Sequence, residues 1–179
     1  VKHLFFCLLI FAAVSGFAQK KSEKAPPPFP SGWYGNWEGQ LKIYGPQGLA
    51  MELPMELKIS ATDSAHRWNW TVIYHGKEDD VREYELVRVD SAKNHYLVDE
   101  KNSILLDSYY YHGVLCNSFS VDGTHLIVNY SWRNERIVME IFVTNLKQAV
   151  ETGADVEEVE SVLSYPMSGR HEAVLKRRK

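Results

Sequence analysis

The sequence predicts an all-β fold. Its antiparallel meander favours a barrel or a sandwich, and we read it as one up-and-down barrel of about 9–11 strands. Three observations support this. Apolar and polar residues alternate along run after run, as half-buried strands require, because successive side chains of a strand point to opposite faces. The runs follow one another at short spacing, separated by turn residues. Apolar residues at helical period are almost absent.

In the first strand Trp37, Gly39, Leu41 and Ile43 alternate with Glu38, Gln40 and Lys42. In the second, Met51, Leu53, Met55, Leu57 and Ile59 alternate with Glu52, Pro54, Glu56, Lys58 and Ser60. Pro54 falls on the polar face and lacks an amide donor, which suits an edge, a bulge or a strand start. Trp68, Trp70, Val72 and Tyr74 form the apolar face of a third strand. Further strands are expected over Arg82–Val89, His95–Asp99, Ile104–His112, Val114–Val121, His125–Trp132 and Arg136–Thr144. Asp122-Gly123 between two alternating runs is a strong hairpin signal. From Asp155 to Tyr165 the pattern fits a helix, with Asp155 as N-cap and Glu158 three residues on. It fits a strand equally well, because Val159, Leu163 and Tyr165 keep a period of two. Pro166 to Gly169 reads as a turn, and Arg170 to Arg177 alternates again as the last strand.

The segment before the first strand is of another kind. Lys2 and His3 precede the apolar run Leu4 to Val14, and small residues follow, with Gly16 and Ala18 suited to a signal-peptidase site. Residues 1–18 are therefore expected to be a signal peptide cleaved after Ala18, giving a periplasmic or secreted protein with no stable membrane span. Its apolar run is shorter than a bilayer needs. Residues 19–32 are polar and then proline-rich, and read as a linker. Residues 33–179 are expected to be one domain. Losing Lys2 leaves a chain slightly more acidic than the net −3 of the whole sequence. That balance argues against a nucleic-acid partner, which needs a clustered basic face. Cys7 leaves with the signal, so Cys116 has no partner within the chain and the fold must hold by packing.

Gly35-Asn36-Trp37-Glu38-Gly39 opens the first strand. A Gly-x-Trp at the start of a small antiparallel barrel resembles the signature of the lipocalin and wider calycin group, which includes lipocalins, fatty-acid-binding proteins and nitrobindins. The resemblance covers residues 33 to 177 through strand number and order. It implies that Trp37, between Gly35 and Gly39, closes one end of the barrel against a basic side chain near the final strand. Arg170 and Arg177 are the matching residues, and a guanidinium stacked on an indole is physically sound. Gly35-x-Trp37-x-Gly39 together with His171 on the last strand is also similar to nitrobindin-like haem barrels. That likeness implies His171 as a haem ligand; the alternative is a rim histidine bonded to a neighbour.

The aromatic content places many rings on strands, and half of them should line an interior. Trp68, Trp70, Tyr84, Tyr110, Tyr130 and His171 are the candidate ligand-binding residues, with Arg88 as a basic side chain among them. Arg82 and Arg88 share a face with Tyr84 and Leu86; if that face points inward, it offers an anchor for an acidic head group. If it points outward, these arginines are solvated and Val81, Val87 and Val89 fill the core. No histidine pair has metal-site spacing, so no metal is expected unless His171 holds haem. No nucleophile elbow, phosphate loop or triad pattern is present, so an enzyme is not expected. The sequence thus points to an exported lipocalin-like protein holding a small hydrophobic or amphipathic molecule in a barrel cavity. The alternatives are a filled barrel of the cell envelope that meets a partner protein, and a haem-binding nitrobindin-like barrel.

Overall fold

The computed structural model describes residues 25–153 and 160–179. The expected signal peptide and the first part of the expected linker lie outside the described residues, as do Asp155, Glu158 and Val159. The strands are β1 (Gly35–Gly45), β2 (Gly48–Ala61), β3 (Arg67–Tyr74), β4 (Asp80–Asp90), β5 (His95–Asp99), β6 (Leu105–Tyr111), β7 (Val114–Val121), β8 (Thr124–Arg133), β9 (Arg136–Asn145), β10 (Val150–Thr152), β11 (Val162–Ser164) and β12 (Met167–Arg177). Ten of them form a closed antiparallel barrel in the order β1-β12-β9-β8-β7-β6-β5-β4-β3-β2. β10 and β11 pair only with each other, as a ribbon inserted between β9 and β12. No helix among the described residues is long and apolar enough to cross a membrane.

The expected alternation decides which face turns inward. Trp37 pairs with Leu57 and Arg177, Leu57 with Val72, and Trp70 with Tyr84. One residue set from every strand therefore shares the interior, because a pleat keeps paired residues on one face. The hairpin turns match their residues: Asp122 and Gly123 both take positive φ, as a two-residue hairpin requires. His112 does not end a strand. It forms a second such turn with Gly113, at φ +42° and +90°.

Pro54 lies within β2 rather than at its start. Its carbonyl accepts from the His75 amide just past the end of β3, so the side on which Pro54 lacks a donor has no ladder left to lose. Closure depends on a tight approach at Gly39, where a Cβ would stand 2.5 Å from the Val174 carbonyl oxygen. No L side chain fits there without backbone movement.

The barrel has one closed and one open end. The closed end is stopped by the proline-rich segment, which is a plug from Pro26 onward and not a tether. Phe29 stacks on Tyr110 at 4.2 Å between ring centroids and meets Trp33 edge-on at 5.0 Å. Trp33 starts no strand; it ends a 3-10 turn (Ser31–Trp33) and is fully buried. Reading this stretch by proline content alone hides its two large aromatics, which are what dock it. The open end carries the turns after β1, β3, β5 and β7 and the ribbon after β9.

Candidate functional site

Trp70 of β3 and Tyr130 of β8 stand five strands apart in the ring of ten, on opposite walls. Their rings nevertheless meet edge to face, with centroids 5.1 Å apart, so together they cross the interior and floor it. Below them the space is filled. Trp33 lies 6.5 Å from Trp70 and 5.9 Å from Trp132, and Trp37 lies 5.6 Å from Trp132. The Trp37 indole N–H donates to the Trp33 carbonyl at 2.9 Å. Arg177 lays its guanidinium over the Trp37 ring at 4.6 Å and donates to the Gly32 carbonyl at 3.0 Å, tying the plug to the last strand. Gly35, at φ +133°, leaves room beside Arg177.

Arg170 is placed elsewhere than expected. It is on the outer face near the open end, over Phe142 at 5.9 Å, and pairs with Glu140 and Glu172. Six residues separate it from the Trp37 rung of β1 and β12, and the odd spacing from Arg177 turns it outward.

Just above the floor Leu41, Met55 and Ala173 are buried. Higher up the inward residues are only partly buried on both sides: Ile43 and Leu53 on the β1–β2 side, and Leu106, Phe119, Leu126, Val128 and Ile141 on the β6–β9 side. An inward side chain of a closed barrel can be wetted only through its mouth, so solvent reaches the upper interior. A groove outside, lined by Glu38, Lys42, Glu52, Glu56, Glu172 and Lys176, mixes charges of both signs on the outer face of the β12–β1–β2 wall. It opens on the outer side of that wall.

The open half contains polar groups in fixed positions. Arg82 faces inward on β4, beside Val72, with its guanidinium 5.1 Å from the centroid of the Tyr74 ring. Asp80 accepts from its Nε and Nη2 at 3.1 and 2.8 Å. Hydrogen bonding to Asp80 and then to Tyr84 raises the Arg82 pKa further, so it stays charged. Burial pushes the hydroxyls of Tyr74, Tyr84 and Tyr130 above the usual phenol range. All three are therefore neutral donors near neutral pH. Asn117 lies beside Ser108 on the inner face, and its Oδ1 is buried with no hydrogen-bond partner. His171 sits on the inner face of β12, level with Ile43 and Ile141, and burial lowers its pKa. Among the described residues no hydrogen-bond partner of His171 is seen.

The sequence candidates thus divide. Trp70 and Tyr130 form the floor, and Tyr84 and His171 face the open half. Trp68, Arg88 and Tyr110 also point inward but lie toward the closed end. Arg88 covers the Trp68 ring at 5.7 Å and bonds to His66, while Tyr110 stacks on Phe29. They belong to the plugged region, not to the open space. The inward version of the Arg82 and Arg88 face is the one observed, with Arg82 in the open half. Tyr74 and Asn117 were absent from the candidate set; the inward phase of Tyr74 was readable, but nothing local marks Asn117. On the outer face His125 lies between Ser118 and Ser120 at 3.1 and 2.9 Å. Among the described residues no cluster of three metal-ligating side chains occurs.

No family model matches this chain, and no curated protein matches it. Among solved structures it is similar to the S-type phycobiliprotein lyase CPES from Guillardia theta. The TM-score is 0.53 at 10% identity, covering 82% of this chain and 88% of that one. The fold is a calycin-like barrel. At that identity the likeness speaks for the fold and not for the residues of a site.

Proposed function

We propose that this chain is an exported binding protein of the periplasm or cell exterior that holds a small amphipathic molecule in the open half of its barrel. The carrying observation is the contrast across the Trp70–Tyr130 floor. Below it the interior is filled by the stacked rings of the plug and its neighbours, whereas above it the inward apolar side chains of both walls are only partly buried. Wetted apolar surface is a standing free-energy deficit of about 25 cal/mol per Å² that an apolar guest removes. A few polar groups beside an apolar wall are the usual make-up of a small-molecule site. A filled barrel needs no such space. The structural neighbour is named a lyase, so the expectation of a non-catalytic barrel gains no support from the fold.

Nile red, a neutral hydrophobic dye, tests this reading. It should bind with a blue-shifted emission, and native mass spectrometry of protein from its own compartment should find a retained small molecule. Val128→Trp, which fills the space from β8, should abolish dye binding while circular dichroism stays that of the wild type. Dye binding unchanged in that variant would place the guest outside the barrel and end the proposal.

A second reading rests on His171. A half-buried, inward imidazole without a partner, kept unprotonated by burial, fits the type of side chain that ligates haem iron. Haem would supply redox or gas-binding chemistry, and His171 would hold it. A Soret band on haem titration that His171→Ala removes would favour this reading; no band in the wild type would end it.

A further inference from the structure

We propose that the molecule taken by the open half has two polar ends: an acid group that meets Arg82 near the mouth, and an O–H or N–H donor that meets Asn117 deeper in. This rests on the reading of the barrel as a ligand-binding one and names the chemistry of its ligand.

The Asn117 end is fixed by a chain of hydrogen bonds. Ser108 Oγ donates to the Leu106 carbonyl at 3.2 Å, so it can only accept from its neighbour on β7. Asn117 Nδ2 donates to that oxygen at 3.5 Å. The amide orientation follows from this network, and Oδ1 of this inner-face residue is left buried without a partner. A buried carbonyl of this kind discriminates. It gains a bond from a guest that carries a donor and is left desolvated by a guest that lacks one.

The Arg82 end is equally defined. Among the described residues, Arg82 is the cation on the inner face above the floor; Arg88 and Arg177 are engaged at the closed end. Asp80 takes its Nε–Nη2 edge, leaving the Nη1 side of the fork. Tyr74 packs against the guanidinium at 5.1 Å. Asp80 is about half exposed, so solvent screens its repulsion of a guest carboxylate, and the expected acid preference is correspondingly modest.

Position along the strand and burial set the order of the two ends. Arg82 is two residues from the open end of β4 with a side chain 47% exposed, whereas Asn117 is four residues from the open end of β7 and 8% exposed. Arg82 therefore stands nearer the mouth. The partly buried Phe119 and Val128 flank Asn117 and supply the wall for an apolar body between the two ends.

Displacement of Nile red by methyl decanoate, decanoic acid and 10-hydroxydecanoic acid tests both ends. On the wild type the acid should displace at about tenfold lower concentration than the methyl ester. The hydroxy acid should gain about fivefold more, the effect of one neutral hydrogen bond. Asn117→Leu should erase the hydroxy gain and keep the acid preference; Arg82→Gln should erase the acid preference and keep the hydroxy gain. Melting curves confirm that both variants fold. Equal displacement by all three compounds on the wild type overturns the inference, as does a hydroxy gain that survives Asn117→Leu. Failure of Nile red to bind at all instead overturns the ligand-binding reading beneath it.

Discussion

Tyr130 has its ring in the floor and its hydroxyl in a dry, polar neighbourhood. Burial raises its pKa, so the folded protein keeps this proton at a pH where an unfolded chain would lose it. Stability is then intact below about pH 10, the ordinary phenol value, and falls as pH rises beyond it. Tyr74 and Tyr84 act with the same sign. Absorbance at 295 nm should show these phenols ionising together with unfolding rather than before it. Tyr130→Phe should flatten the alkaline fall in melting temperature; an unchanged slope would refute the assignment. Gly39 makes a sharper demand. With backbone oxygen 2.5 Å from its missing Cβ, Gly39→Ala must displace β1 from β12, and we expect a loss of about 1–3 kcal/mol in chemical denaturation. At this scale the sequence was informative where phase alone decides. The inward aromatics at Trp70, Tyr84 and Tyr130 were readable from a period of two. Asn117 was not, because an orphaned carbonyl is created by Ser108 on a neighbouring strand and has no local signature.

Elements were legible for the same reason. Each barrel strand has one wet and one dry face, so its alternation was plain, and Asp122-Gly123 announced its hairpin. Two elements escaped. The ribbon of β10 and β11 is exposed on both faces, so burial imposes no pattern on it; Val162–Ser164 proves to be strand. The plug has no period because it is neither helix nor strand. Its aromatics dock into a cavity formed by distant strands, and only the rings at Phe29 and Trp33 hinted at this. The plug is an integral part of the core. Trp33→Ala removes a fully buried indole touching four other rings, and should lower stability by about 3–5 kcal/mol. A loss below about 1 kcal/mol would show the plug to be dispensable.

At the scale of the whole molecule, the two ends of the barrel do different work. The closed end has the stacked plug, and the last strand holds that plug through Arg177. The open end has the ribbon and the partly buried inner walls. The proposed export belongs to this scale too, and it rests on the basic, apolar and small-residue order of residues 1–18. Intact-mass analysis of protein taken from cells should find Gln19 as the first residue; a mature chain that keeps Leu4 to Val14 would refute the localisation.

The asymmetry also gives the molecule a built-in optical gauge. The chain has five tryptophans, and Trp33, Trp37, Trp68, Trp70 and Trp132 all lie in the floor or toward the closed end. Four of these indoles are linked by ring contacts of 5.6–6.5 Å, close enough for their excited states to couple and produce a strong near-ultraviolet circular dichroism couplet. Only Trp70 faces the space above. A guest in the open half should therefore perturb one emitter of the set and leave the couplet standing, whereas loss of the plug should collapse the couplet. A single spectrum would thus tell occupancy at one end from opening at the other.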